Sequence, residues 1–255
     1  MIANYHTHTW RCRHASGTER QYIEHAIAAG IQILGFSDHT PYPFPGNYYS
    51  TYRMYLHQAE DYFRTLTDLK AEYADEIELH IGVEAEYYPK LFAGMLDFLR
   101  QFPCEYLLLG QHFLENEDTG EYVYVPNSDP DALRRYVNQV LEGLSTGLFT
   151  YLAHPDLFRW QGDPTVYRQE MERLCRGAQA LGYPLEFNLL GFHDRRNYPT
   201  PAFWDIAKET GNAVILGVDA HLPEALNRPE SEANARAQLA ALGLTPMETI
   251  ALRPI

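Results

Sequence analysis

Seven short apolar runs, six of them with a histidine, aspartate or glutamate in the last or next-to-last position, constrain this chain more than any other feature. They are MIANYH, GIQILGFSDH, IELHIGVEAEY, EYLLLGQHF, FTYLAHPD, YPLEFNLLG and NAVILGVDAH. Between them lie segments with apolar residues three and four apart, such as Tyr22, Ile23, Ala26 and Ile27, or Leu133, Tyr136, Val137, Val140, Leu141 and Leu144. That spacing places one apolar stripe on a helix. Strands alternating with helices predict an α/β chain with a parallel sheet built from right-handed crossovers. A doubly wound open sheet and a closed barrel both satisfy the pattern.

With 255 residues and no Gly/Ser linker, internal repeat or low-complexity tract, residues 1–255 are expected to form one domain. A single α/β barrel takes about 250 residues. The formal net charge of -14 speaks against nucleic acid and anionic membranes as partners. No apolar run approaches the roughly 20 residues that span a bilayer. Three scattered cysteines, Cys12, Cys104 and Cys175, make no disulfide framework. The opening MIANYHTHTW lacks the build of a signal peptide, so the expected location is the cytoplasm. No feature of the chain sets an oligomeric state. Two long connections, 40–52 (rich in proline and aromatics) and 115–130 (acidic), have the length of lids or binding loops.

The polar residues collect where α/β folds build sites, at the carboxyl ends of strands. Strand one runs into His6 and His8, strand two into Asp38 and His39, strand three carries Glu84, and strands four and five end on His112 and His154. The seventh ends on Asp219 and His221. Residues two apart on an extended strand project to the same side, roughly 7 Å apart, so His6 and His8 converge on one ion. Imidazole with carboxylate suits zinc, iron or manganese. A zinc finger is excluded because no C-x2-C pair is present, and Cys12 is expected near the site without ligating.

In order and spacing, HTHT at 6–9, CRHASG at 12–17, GFSDHTP at 35–41, GVEAEYYP at 82–89, GQH at 110–112, AHPDLF at 153–158, LEFNLLG at 185–191 and LGVDAH at 216–221 resemble the PHP (polymerase and histidinol phosphatase) superfamily, and within it the stand-alone histidinol-phosphate phosphatases. The resemblance covers nearly the whole chain. It implies a distorted (β/α)7 TIM-like barrel with a metal site at the carboxyl ends of its strands. It also implies a trinuclear centre of divalent ions (zinc, iron or manganese). His6, His8, Glu84 and Asp219 would hold one ion, His14, His39 and His221 a second, and His112 and His154 a third, with Glu84 bridging. Glu86, two residues along the same strand face, is a substitute for Glu84. Val218 stands where the family has a small hydroxyl residue.

The activity implied is hydrolysis of histidinol phosphate, a small phosphorylated substrate, by a metal-bridged hydroxide in histidine biosynthesis. The alternative is another small phosphomonoester or a nucleotide. Three divalent ions bring about +6 and two carboxylates remove about two, so a phosphate dianion is drawn in despite the acidic surface. Asp219 and His221 are expected in catalysis. Arg159, Arg195 and Arg196, just past strand ends, are expected on the phosphate because their planar forks match two oxygens. Glu19 and Asn188 are expected on the rest of the substrate. The leaving alcohol takes its proton from His193, Asp156 or a bound water.

Overall fold

A computed structural model describes residues 1–255. Eight parallel strands lie in one sheet in chain order. They are β1 (Ala3–Asn4), β2 (Ile33–His39), β3 (Glu78–Ala85), β4 (Tyr106–Leu109), β5 (Phe149–Leu152), β6 (Leu185–Asn188), β7 (Val214–Gly217) and β8 (Pro246–Met247). All seven apolar runs become strands, and the fold is the expected TIM-like α/β barrel. β8 is additional; two residues are too short to leave a periodicity, and its proline is tolerated because it sits on an edge.

The curled sheet ends differently at its base and at its rim. At the base β8 pairs with β7, matching Val214 to Pro246. At the rim the chain beyond β7 meets the chain beyond β1, with a parallel bridge between Thr7 and Ala220. There His8 N–H donates to the Ala220 carbonyl at 2.9 Å and Ala220 N–H to the His6 carbonyl at 3.1 Å. Asn4 supports the seam by accepting from Val218 N–H through Oδ1 at 2.8 Å.

Alternation along the strands divides the apolar residues into two layers. Tyr106 and Leu108 point into the barrel with Ala3, Tyr5, Tyr151, Ala153 and Ile215. Leu107 and Leu109 point outward into the larger core under the helices. Those helices are α1 (Glu19–Ala28), α2 (Ala59–Glu72), α3 (Phe92–Leu99), α4 (Pro130–Ser145), α5 (Pro164–Ala180), α6 (Leu189–Asp194), α7 (Pro201–Thr210) and α8 (Pro229–Ala241). The predicted stripe of α4 is buried at Leu133, Tyr136, Val137, Val140 and Leu144. At about 1.5–3 kcal/mol each, these side chains supply roughly 10 kcal/mol of gross burial before entropy is subtracted.

Local signals start and stop the helices. Thr18 caps α1 in a reciprocal box with Gln21, worth about 1 kcal/mol. Asp129, Asp163 and Thr200 cap α4, α5 and α7, each followed by a proline at the first helical turn. α7 stops at Gly211, whose φ of 72° is costly for any residue with a Cβ. No helix is long and apolar enough to cross a membrane.

Candidate metal centre

The β2–β3 register sets His39 beside Glu84 at the same height of the rim. The seam between the β1 and β7 exits brings His6 and His8 against Asp219 and His221. His6 and His8 ring centroids are 5.2 Å apart, and His8 lies 4.4 Å from His39 and 4.1 Å from His221. Glu84 Oε2 is 3.6 Å from both His6 Nε2 and His8 Nε2, and Asp219 Oδ1 is 3.5 and 3.1 Å from the same two atoms. His14, His39 and His221 form a second convergent group. His154 Nε2 and His112 Nε2 lie 2.8 and 3.6 Å from the other oxygen of Glu84. The structure therefore brings all nine expected ligand positions together around Glu84 and Asp219.

These groups fit cations. His6 Nε2, His8 Nε2, His39 Nδ1 and Glu84 Oε2 are buried with no hydrogen-bond partner. Each such orphan costs about 1–3 kcal/mol unless something satisfies it. A divalent ion satisfies nitrogen and oxygen lone pairs together. Burial alone would raise Glu84 and Asp219, but the surrounding imidazoles outweigh it and hold both well below the usual carboxylate range. Burial lowers His39 and takes His221 to about 3, leaving both as neutral lone-pair donors. His6 and His8 go the other way. Burial opposes their charge, but Glu186 at His6 and Asp219 with Asp38 at His8 prevail, and His8 rises to about 9. A bound cation takes the place of such protons, so ion uptake releases them.

The far ring nitrogens are held from behind, the usual arrangement for a metal-binding imidazole. Asp38 Oδ1 faces His8 Nδ1 at 3.4 Å and accepts from His39 N–H at 2.8 Å. Glu86 Oε1 lies 3.0 Å from His112 Nδ1, so Glu86 orients His112 and does not replace Glu84. Arg53 clamps Glu86 in turn, at 2.9 Å from Nη2, and its Nε donates to Glu117 at 2.7 Å. Cys12 comes near His8 and His221, but burial raises its thiol and keeps it protonated.

A cavity of about 680 Å³ opens above the cluster, walled by Tyr52, Phe113, Tyr122, Tyr124, Leu157, Leu190 and Tyr198, with Arg196 at its edge. Both long connections reach it, one through Thr51 and Tyr52, the other through Tyr122 and Tyr124. Arg196 is steered by Asp194 at 3.0 Å and by Tyr198 Oη at 3.4 Å.

Several expected residues do not reach this cavity. Arg159 does not line it; its guanidinium lies 6.0 Å from the Tyr124 ring. His193 and Arg195 open onto a separate groove with Arg228, because α6 ends at Asp194 and the chain turns at Arg195, φ 54°, before Arg196. Glu19 is buried in an ion pair with Arg11, which also holds Asp61 at 2.7 Å. Asn188 caps α6 and donates to Glu186 at 2.9 Å and to Asp219 at 3.1 Å. Asp156 accepts from Thr200 N–H and lies outside the cavity lining.

Two buried groups escaped the sequence reading. Glu186, wholly buried on β6, lies 2.8 Å from His6 Nδ1. Its signal was an acid in the middle of an apolar strand, two residues from Asn188 on the same face. Arg53 was hidden inside an aromatic loop, with no local pattern to mark it as buried.

A barrel rim carrying imidazoles and carboxylates under a walled cavity has the build of a metal-dependent barrel hydrolase. The PHP domain model matches residues 4–189, and the chain belongs to that family. A probable histidinol-phosphatase of Deinococcus radiodurans is 32% identical over 231 residues, covering 87% of each chain. Another from Schizosaccharomyces pombe is 36% identical over 254 residues, covering 88% of this chain and 81% of the relative. A crystal structure of histidinol phosphate phosphatase from Lactococcus lactis, complexed with zinc, L-histidinol and phosphate, superposes with a TM-score of 0.75. It is 21% identical and covers 98% of both chains, a likeness of fold.

Proposed function

We propose that this protein is a metal-dependent phosphomonoesterase that hydrolyses L-histidinol phosphate to L-histidinol and phosphate, serving histidine biosynthesis. The observation that carries the reading is the gathering of nine imidazole and carboxylate side chains from separate strand exits beneath a cavity edged by Arg196. Three divalent ions (zinc, iron or manganese) would be held by His6, His8, Glu84 and Asp219, by His14, His39 and His221, and by His112 and His154. Such ions, when bound, lower the pKa of water and neutralise phosphoryl charge.

The chain's own residues do the rest. Arg196 pairs with phosphoryl oxygens through its fork, and Asp194 and Tyr198 keep it aimed. Tyr52, Phe113, Tyr122, Tyr124 and Tyr198 pack on the substrate's imidazole and exclude water, which strengthens the electrostatics inside. Asp219 and His221 line the cavity, and as ion-holding groups they would serve the reaction by fixing the cations beneath the reacting oxygens, since Asp219 is held ionised and His221 neutral. His193 and Asp156 lie outside the cavity and take no part. Residues 1–255 act as one domain.

The test is a substrate panel. Histidinol phosphate should be hydrolysed with a far higher kcat/KM than an aryl phosphate, glycerol phosphate or a nucleoside monophosphate, and chelation should abolish the activity. Equal turnover of all four would remove the assignment to histidinol phosphate and leave a general phosphomonoesterase.

A further inference from the structure

Glu186 does not line the cavity, yet four polar groups converge on it. His6 Nδ1 at 2.8 Å and Tyr151 Oη at 3.3 Å meet Oε1; His154 N–H and Asn188 Nδ2, both at 2.9 Å, meet Oε2. We propose that Glu186 is a positioning residue that sets the tautomer of His6 and ties His6, His154 and Asp219 into one rigid ligand frame. The inference rests on the metal-dependent reading above.

Chemistry requires an acceptor at this position. A backbone N–H and an amide NH2 can only donate, and the phenol donates here, so the group they surround must accept from all of them. Accepting from His6 as well keeps that ring's proton on Nδ1. The Nε2 atom then faces Asp219 Oδ1 and Glu84 Oε2 at 3.5 and 3.6 Å, an arrangement of three electron-rich atoms that a proton or, in its place, a metal cation relieves. The same carboxylate anchors His154 by its backbone N–H, and His154 holds a φ of 29° that an L residue adopts only under constraint. Asn188 extends the frame to Asp219, φ 53°, through its second hydrogen bond at 3.1 Å.

A second residue shows that the space is shaped for this group. Gly217 on β7 lies in register with Asn188, and a Cβ there would sit 1.7 Å from Glu186 Oε1 and 2.5 Å from its Cδ. Its three nearest neighbours are all atoms of Glu186. Gly217 is thus the vacancy into which the carboxylate fits.

The test uses zinc-loaded protein dialysed against graded chelator, with retained zinc read by atomic emission. Glu186→Gln puts an NH2 donor among donors and should lose zinc at about 10–100-fold lower chelator than wild type. Glu186→Asp keeps an acceptor-only head and should retain zinc better than Glu186→Gln. Gly217→Ala, which replaces no ligand, should reproduce the loss by displacing the carboxylate. In a Glu186→Ala background the added Gly217→Ala should cause no further loss. Visible spectra of the cobalt-loaded forms, which lowered stability alone leaves unmoved, should shift for Glu186→Gln and for Gly217→Ala. If either single variant fails to fold, the other and Glu186→Asp carry the comparison. Zinc retention and cobalt spectra matching wild type, or additive losses in the double variant, would overturn the positioning role alone. A wild type that holds no divalent ion would overturn the metal reading and this inference with it.

Discussion

Arg53 offers the sharpest test of how the rim is held. It is about 1% exposed, yet its guanidinium serves Glu86, Glu117 and the Thr40 carbonyl, with its Cζ 4.8 Å from the centroid of the Tyr52 ring. Replacing it with methionine keeps most of the volume and removes the charge. Two buried carboxylates, Glu86 at 1% and Glu117 at 6% exposure, then lose their cation. Breaking a buried ion pair from one side costs about 3–5 kcal/mol. For a chain of this length each kcal/mol moves the melting temperature by about 2–4 °C, so calorimetry near neutral pH should show a fall of roughly 10 °C. The deficit must also depend on pH. In wild type burial raises Glu86, but Arg53 and His112 outweigh it and hold the group below its ordinary 4.5. That stabilisation is full above the unfolded pKa and fades as acid titrates the folded carboxyl. Without Arg53 burial is less opposed and the folded pKa rises, so the variant gains relative stability as pH falls from neutral. The gap between the two proteins should therefore narrow toward acid. Adding Glu86→Gln and Glu117→Gln to Arg53→Met should recover part of the loss. A melting temperature within about 2 °C of wild type, or a gap that widens toward acid, would refute the reasoning.

Other expectations follow from the same geometry. Arg196→Ala should cut kcat/KM for a phosphomonoester by about 10–100-fold, the loss of a charge-assisted contact, whereas Arg195→Ala, on a separate groove, should leave kinetics unchanged. Chelation should lower the melting temperature as well as activity, because it restores unsatisfied buried atoms at His6, His8, His39 and Glu84; scanning calorimetry with and without zinc reads this directly. Burial raises all three thiols, Cys104 and Cys175 to about 12, so a thiol reagent should label none in the native protein and three after denaturation.

The strands and the gathering of the rim were legible because they obey local rules. Apolar runs of strand length announce β2 to β7, and a polar residue at a strand's carboxyl end can only lie at the rim. The ligand set came from the family resemblance, and the structure places those residues side by side. What failed was direction beyond the strand ends. Arg159, Arg195 and Arg196 look alike in sequence, but only Arg196 lines the cavity, and it is the left-handed exit of α6 that turns Arg195 away. Glu19 looked available, and its buried partner Arg11 lies eight residues earlier, between two motifs that carry no sign of its burial. Glu186 passed unread, since its partners lie on or just past β1, β5 and β6 and meet only when the sheet curls.

The asymmetry of the barrel bears on what such a rim can host. Only seven strands reach the top, because β8 stops at the base and the chains beyond β1 and β7 join directly above it. Perimeter grows with strand number, so the mouth is roughly one eighth tighter than in an eight-stranded ring. That contraction draws the first and last strands into adjacency, and it favours clustered ions over a single isolated one. Splicing a full-length eighth strand into the gap would widen the crown and part His8 from His221, turning a shared nest into separate, weaker perches.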